Sequence, residues 1–297
     1  MNRIKEYIIA GWGYRLMFEG SANDETLIPS SAPFEAESPL DDSELLFRLR
    51  IDDDFRPGCK GEEIGKFDCG GALHEVYHTA DGFYQIVISN EEGRKCCLLQ
   101  TRDDFSDGVV ALVGTDKMRT FALNNAMMIM FAFAASDKST LLMHSSVVRK
   151  DGRGYMCLGK SGTGKSTHTG LWLEHIDGTD LMNDDNPVVR YVDGKAVVYG
   201  SPWSGKTPCY RNIEAPIGGI LQLKQAPYNK IRRQTTIEAF ASMLSSCSVM
   251  KWDKRVYSGI CDTISRLMET VPNWFLECLP DKDAALTSHD AMTAQTK

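Results

Sequence analysis

The chain has 297 residues, enough for one large or two medium domains with cores of their own. With 42% hydrophobic and 25% charged residues it has the composition of a globular protein, not of a disordered or fibrous one. A net charge of −7 and a pI near 5.4 exclude a general binder of nucleic acid or of anionic membranes, so any phosphate must be held by a local site.

The nine cysteines are odd in number, scattered, and never spaced CxxC, which predicts buried reduced thiols in a cytoplasmic protein. Residues 1–20 lack the pattern of a signal peptide. The most apolar stretch, Ala126 to Ala135, is too short to span a bilayer.

From Ile8 to about Gly114 the pattern predicts a small, largely antiparallel β domain, with Asp81-Gly82 and Asp107-Gly108 as turns. Residues 20–45, rich in Ser, Pro, Asp and Glu, read as a partly mobile loop with a solvated acidic surface. His74-Glu75-Val76-Tyr77-His78 spells the zinc-protease motif, which needs a helix to bring both histidines to one ion. Its surroundings predict a strand, in which residues four apart lie about 13 Å apart, and the match reads as chance.

A buried helix is predicted over Lys117 to Ser136, with the domain boundary just before it, so that residues 1–115 form the β-rich domain and 116–297 a second one. Thr140 to Val148 reads as a strand carrying His144, for which a hydrogen-bonded structural role is the plain expectation. Tyr155 to Leu158 reads as a buried strand and Ser166 to Ile176 as a helix.

Between those two elements stands Gly159-Lys160-Ser161-Gly162-Thr163-Gly164-Lys165-Ser166-Thr167. A glycine, four residues and Gly-Lys-Ser form a loop whose amides wrap a phosphate chain. Lys165 reaches the β- and γ-phosphates, and the Ser166 hydroxyl joins a Mg²⁺ shell. A surface loop can spell the same letters, but strand before and helix after decide for the nucleotide reading.

One helix later come Asn183-Asp184-Asp185-Asn186-Pro187. The composition suits a type I turn. Near a nucleotide, the same two carboxylates suit Mg²⁺ binding by one and proton acceptance by the other. The loop from Gly200 ends in Lys206, and Lys206 with Arg211 is placed to offset transferred charge or to serve as an ordinary connection. Ile217 to Leu223 and Trp274 to Leu279 read as strands, Ile237 to Leu244 and Tyr257 to Thr270 as helices, and the tail beyond Ser288 as disordered.

As a set, His144, the loop from Gly159 to Ser166, and Asp184-Asp185 resemble the kinase domain of the bacterial HPr serine kinase/phosphorylase family. More distantly they resemble the nucleotide site of phosphoenolpyruvate carboxykinase. The likeness covers roughly residues 141 to 224 and implies an α/β fold of that kind, α+β overall, with a smaller β-rich N-terminal domain. It implies that Asp185 is the proton acceptor, Asp184 the metal-associated carboxylate, and His144 the histidine that precedes the phosphate loop. In the carboxykinases a histidine in a similar Met-His-x-Ser context binds a second metal. Tyr199 to Lys206 stands where the HPr kinases carry their signature, and the chain is far shorter than a carboxykinase.

The expected activity is therefore transfer of the γ-phosphate of Mg-ATP to a hydroxyl, on a serine of a small protein or peptide or on a metabolite. Catalysis is assigned to Asp185, Lys165 and His144, the metal to Ser166, Asp184 and Asp185, and the nucleotide to residues 159–167, Lys206 and Arg211. The alternatives are carboxykinase-type decarboxylation of oxaloacetate and a nucleotide-binding module without chemistry. No nucleic-acid or membrane partner is expected, and assembly of identical copies stays open.

Overall fold

The computed structural model describes residues 3–69, 71–205 and 207–294. It is a mixed α/β protein with two sheets and few helices, and it divides into two compact units, Met1–Ala134 and Ala135–Lys297.

The first unit is an eight-stranded sheet and one long helix. Its strands are β1 (Arg3–Ile9), β2 (Trp12–Phe18), β3 (Leu45–Ile51), β4 (Glu62–Asp68), β5 (Ala72–His78), β6 (Phe83–Asn90), β7 (Lys95–Arg102) and β8 (Asp107–Leu112). They run in the order β1-β2-β3-β8-β7-β6-β5-β4, antiparallel except where β3 joins β2 and β8. One face is apolar by simple alternation, as in β3, where Phe47, Leu49 and Ile51 are buried.

That face is covered by α1 (Asp116–Ala134), which packs on β3, β6, β7 and β8. Arg119 fastens the helix there, bonding the Asp53 carboxylate and the Asn23 side-chain oxygen at 2.7 Å each. The first unit therefore runs to Ala134 and not to residue 115. Residues 20–45 also differ from expectation. They form short 3₁₀ turns at Glu25–Leu27, Pro29–Phe34 and Asp42–Glu44 and bury Leu27, Ile28 and Phe34.

Among its described residues the second unit is a nine-stranded sheet with four helices. In chain order these are β9 (Thr140–Leu142), β10 (Ser145–Lys150), β11 (Arg153–Leu158), α2 (Lys165–His175), β12 (Thr179–Asp185), β13 (Val188–Val192), β14 (Lys195–Tyr199), β15 (Glu214–Gln225), β16 (Lys230–Arg233), α3 (Thr236–Leu244), α4 (Lys254–Thr270), β17 (Asn273–Cys278) and α5 (Lys282–Thr293).

The long strand β15 organises this sheet. Its first residues pair antiparallel with β14, and the remainder lies parallel between β11 and β17. On the far side of β11 follow β10 and β12, both antiparallel. Trp172, Tyr155, Leu221, Leu276, Ala285 and Met292 close one core between the sheet, α2 and α5. The expected disordered tail is thus helix as far as Thr293, with Ser288 fully buried. Among the described residues no helix is long and apolar enough to cross a membrane.

Candidate functional site

The sequence Tyr155-Met156-Cys157-Leu158 folds as the inner end of β11 because all four side chains are buried between two neighbouring strands. The chain leaves the sheet at Gly159 and turns through Gly162 and Gly164, whose φ angles of 78° and 103° are forbidding for other residues. Gly164 then caps α2 without a side chain, so the first-turn amides of Lys165, Ser166 and Thr167 are directed into the loop. Lys160, Ser161, Ser166 and Thr167 are exposed, whereas Gly159 and Lys165 are buried. From β15, Gln225 Nε2 donates to the Gly162 and Thr163 carbonyls at 3.3 and 3.4 Å and props the loop from outside.

Register brings the acid pair to the same edge. Ser145 of β10 lies opposite Leu158 of β11 on one side and Asp185 of β12 on the other. Ser146 likewise faces Cys157 and Asp184. Two strand spacings of about 4.8 Å separate the start of the glycine-rich loop from the two carboxylates.

Successive side chains alternate across a strand, and the two acids part accordingly. Asp184 is buried beneath α2, where its Oδ1 accepts the Ser146 hydroxyl at 2.7 Å, and Ser146 Oγ lies 2.8 Å from Thr169 Oγ1 on the helix. Its other oxygen, Oδ2, is buried without a partner. Asp185 turns to His144, with its Oδ1 2.9 Å from Nδ1, and its Oδ2 accepts from Asn186 at 2.7 Å.

His144 completes a chain to the loop, since its Nε2 lies 2.9 Å from Lys165 Nζ. Lys165 also donates to Gly159 O at 2.9 Å and Lys160 O at 3.4 Å. An ammonium has no acceptor to offer, so the network assigns the Nδ1–H tautomer: Nε2 accepts from Lys165 and Nδ1 donates to Asp185. Burial lowers the Lys165 pKa, against the opposing pull of Asp185 and Asp184.

His144 is not on a strand as expected. It sits in the break between β9 and β10, where the chain passes from the β13 side of the sheet to β11 and β12. Its backbone N–H is held by Ser246 O at 2.6 Å. Arg211 stands apart from the loop. It bonds Asp180, at 2.8 Å, and the Leu181 carbonyl, near the opposite end of β12. Burial disfavours the Asp180 carboxylate, but hydrogen bonds from Arg149 and Arg211 outweigh it and hold its pKa below the ordinary value. Arg211 is thereby a structural clamp on β12. Lys206 lies outside the described residues. The two histidines of the HExxH match are on strand β5, His74 beside Cys69 and His78 against the Tyr84 ring.

Three contributors escape a reading of the sequence by motif: Ser146, Thr169 and Asn186. Two adjacent serines just ahead of the apolar pair Val147-Val148 are the one signal that pointed to the first. Among the described residues no three His, Cys, Asp or Glu side chains are grouped to hold a metal ion. Asp184 Oδ2 nonetheless fits a hard cation completed by a hydroxyl, phosphate oxygens and water, because Mg²⁺ needs few protein ligands.

No protein-family model matches the chain, and no curated protein matches it. Among solved structures, the Hpr(Ser) kinase/phosphatase from Coxiella burnetii is similar over 52% of this chain and 98% of that one, with a TM-score of 0.31 and 11% sequence identity. A likeness of that degree is too loose to transfer the role of any residue.

Proposed function

We propose that the second unit is an ATP-dependent phosphotransferase acting on a hydroxyl acceptor. One observation carries this reading: a carboxylate, Asp185, is tied through a single imidazole to the lysine of a phosphate-binding loop. A general base and the main phosphate cation are thereby held in one fixed chain, two 2.9 Å contacts and an imidazole ring apart, and such positioning is what in-line transfer needs.

The loop amides of residues 160–167 and Lys165 bind the phosphates. Ser166 and Asp184 would hold Mg²⁺, which when bound offsets charge on the phosphate oxygens. Asp185 accepts the proton of the acceptor hydroxyl as the new O–P bond forms at the γ-phosphorus. The bond to the β-phosphate oxygen breaks, and ADP leaves with the electron pair. His144 orients the carboxylate through Nδ1. With one ring nitrogen given to Asp185 and the other to Lys165, His144 has no lone pair to spare for a second metal, which counts against a carboxykinase role.

The test pairs calorimetric titration of ATP and Mg²⁺ with an ADP-release assay over serine peptides and small alcohols. Asp185→Asn is expected to bind ATP while turnover falls roughly 10²–10⁴-fold. Absence of nucleotide binding, or turnover untouched by the substitution, overturns the proposal.

A further inference from the structure

Resting on the phosphotransferase reading, we infer that Ser204 is an internal phosphoryl acceptor, so that the chain modifies itself beside its own base.

Ser204 and Asp185 form an isolated antiparallel bridge. The flanking bonds are Asn186 N–H to Trp203 O at 3.2 Å and Gly205 N–H to Asp184 O at 3.1 Å. Bonds on either side of a pair, with none within it, mark the closer of the two antiparallel arrangements. There the Cα atoms stand about 4.5 Å apart and both side chains share one face. The Ser204 hydroxyl therefore stands on the Asp185 side of the ribbon. Gly205 approaches so closely that a Cβ there would lie 2.8 Å from Asp184 O and 3.3 Å from Asp185 Cβ.

This ribbon is anchored from within the protein. Buried Ser201 donates to Asn186 O at 2.6 Å and accepts from Asn183 Nδ2 and Trp203 N at 3.2 Å each. Ser204 is half-buried, and its hydroxyl donates to Thr207 O at 2.6 Å. Rotation about χ1 exchanges that acceptor for the carboxylate next door. The neighbouring hydroxyls are committed elsewhere: Ser146 gives its proton to Asp184, and Ser145 is buried and donates to a backbone carbonyl.

In the step, Asp185 takes the Ser204 Oγ proton, Oγ bonds the γ-phosphorus of ATP, the bond to the β-phosphate oxygen breaks, and ADP departs. The proton on Asp185 then passes to solvent. The phosphoserine sets a group of about −2 charge beside two carboxylates, where an acceptor hydroxyl would otherwise enter. Modification therefore slows transfer to an outside acceptor.

The experiment incubates phosphatase-treated full-length chain with Mg-ATP and no acceptor. Peptide mass spectrometry reads the modification, with ATP binding titrated on the same preparation. The expected result is one phosphoryl group on residue 204, at a fractional rate independent of protein concentration. It is absent from Ser204→Ala and Asp185→Asn and present on the hydroxyl of Ser204→Thr, with thermal melts showing each variant folded. A chain that binds ATP yet leaves Ser204 unmodified sinks this inference alone. So does equal labelling in Asp185→Asn, or a rate that rises with protein concentration. A chain that binds no ATP sinks the phosphotransferase reading, and the inference with it.

Discussion

Asp184 and His74 are both held with a polar atom lacking a partner, yet they call for opposite explanations. The Asp184 oxygen is buried on the second strand from the one that leads into the glycine-rich loop, where the proposed Mg²⁺ would satisfy it. Asp184→Asn keeps an oxygen for Ser146 but removes the charge. It is expected to raise the Mg²⁺ concentration at half-maximal nucleotide binding by about 10-fold or more, read by titrating Mg²⁺ at fixed ATP. His74 lies in a sheet with Cys69 as neighbour, and burial pushes its pKa down to about 4. Below pH 6.5 the unfolded chain takes up a proton that the folded chain refuses until about pH 4. Stability from this group is therefore lost as pH falls through that window, by on the order of 3 kcal/mol. His74→Leu removes the loss, so its advantage over the parent chain should grow from pH 7 to pH 4.5 in thermal melts. At this scale the strand, glycine turn and helix were legible because glycine spacing is a backbone requirement. His144 was singled out only through the family resemblance: its bonds to Lys165 and Asp185 depend on a break between two strands that no local pattern marks.

Among the elements, residues 200–205 and 207–211 are the ones whose role the sequence concealed. They lie along the outer edge of β12, bonding the backbone carbonyls of Leu181 and Asp184. An edge strand ending in the two acids is thus covered, not open to another chain. The contact at their start is extremely tight, since a Cβ on Gly200 would meet the Arg211 carbonyl oxygen at 1.9 Å. Gly200→Ala should destabilise the second unit by on the order of 3 kcal/mol or more, measured by urea denaturation, because backbone must move to admit one methyl group. Lys206 and Arg211 looked like phosphate ligands because cations after a glycine-rich loop have that chemistry. For Arg211 the deciding fact was Asp180, placed beside it by the sheet and not by the sequence. The last helix was missed for a related reason: residues 282–293 are only weakly amphipathic, and Ser288 is a polar residue that nothing marks as buried.

For the molecule as a whole, two compact units were expected from the change of pattern along the chain. The division falls at residues 134/135 because α1 packs on the first sheet, whereas a helix apolar nearly all round carries no sign in the sequence of which sheet it will cover. Each unit has its own sheet and its own buried core, and the glycine-rich loop, His144 and the two acids all lie in the second. A fragment of residues 135–297 should therefore fold and bind ATP with an affinity within about 10-fold of the full chain, while residues 1–134 should bind none. Circular dichroism and calorimetry on the two fragments check this.

Ser288 adds a constraint of time. It accepts the Trp172 indole N–H at 2.8 Å and stands 2.9 Å from His168 Nε2, both on the helix that follows the glycine-rich loop. Those partners are 116 and 120 residues apart along the chain. During synthesis, the helix leaves the ribosome long before the serine that satisfies it. Until translation has passed that point, the helix after the glycine-rich loop must do without the partner of its indole and imidazole.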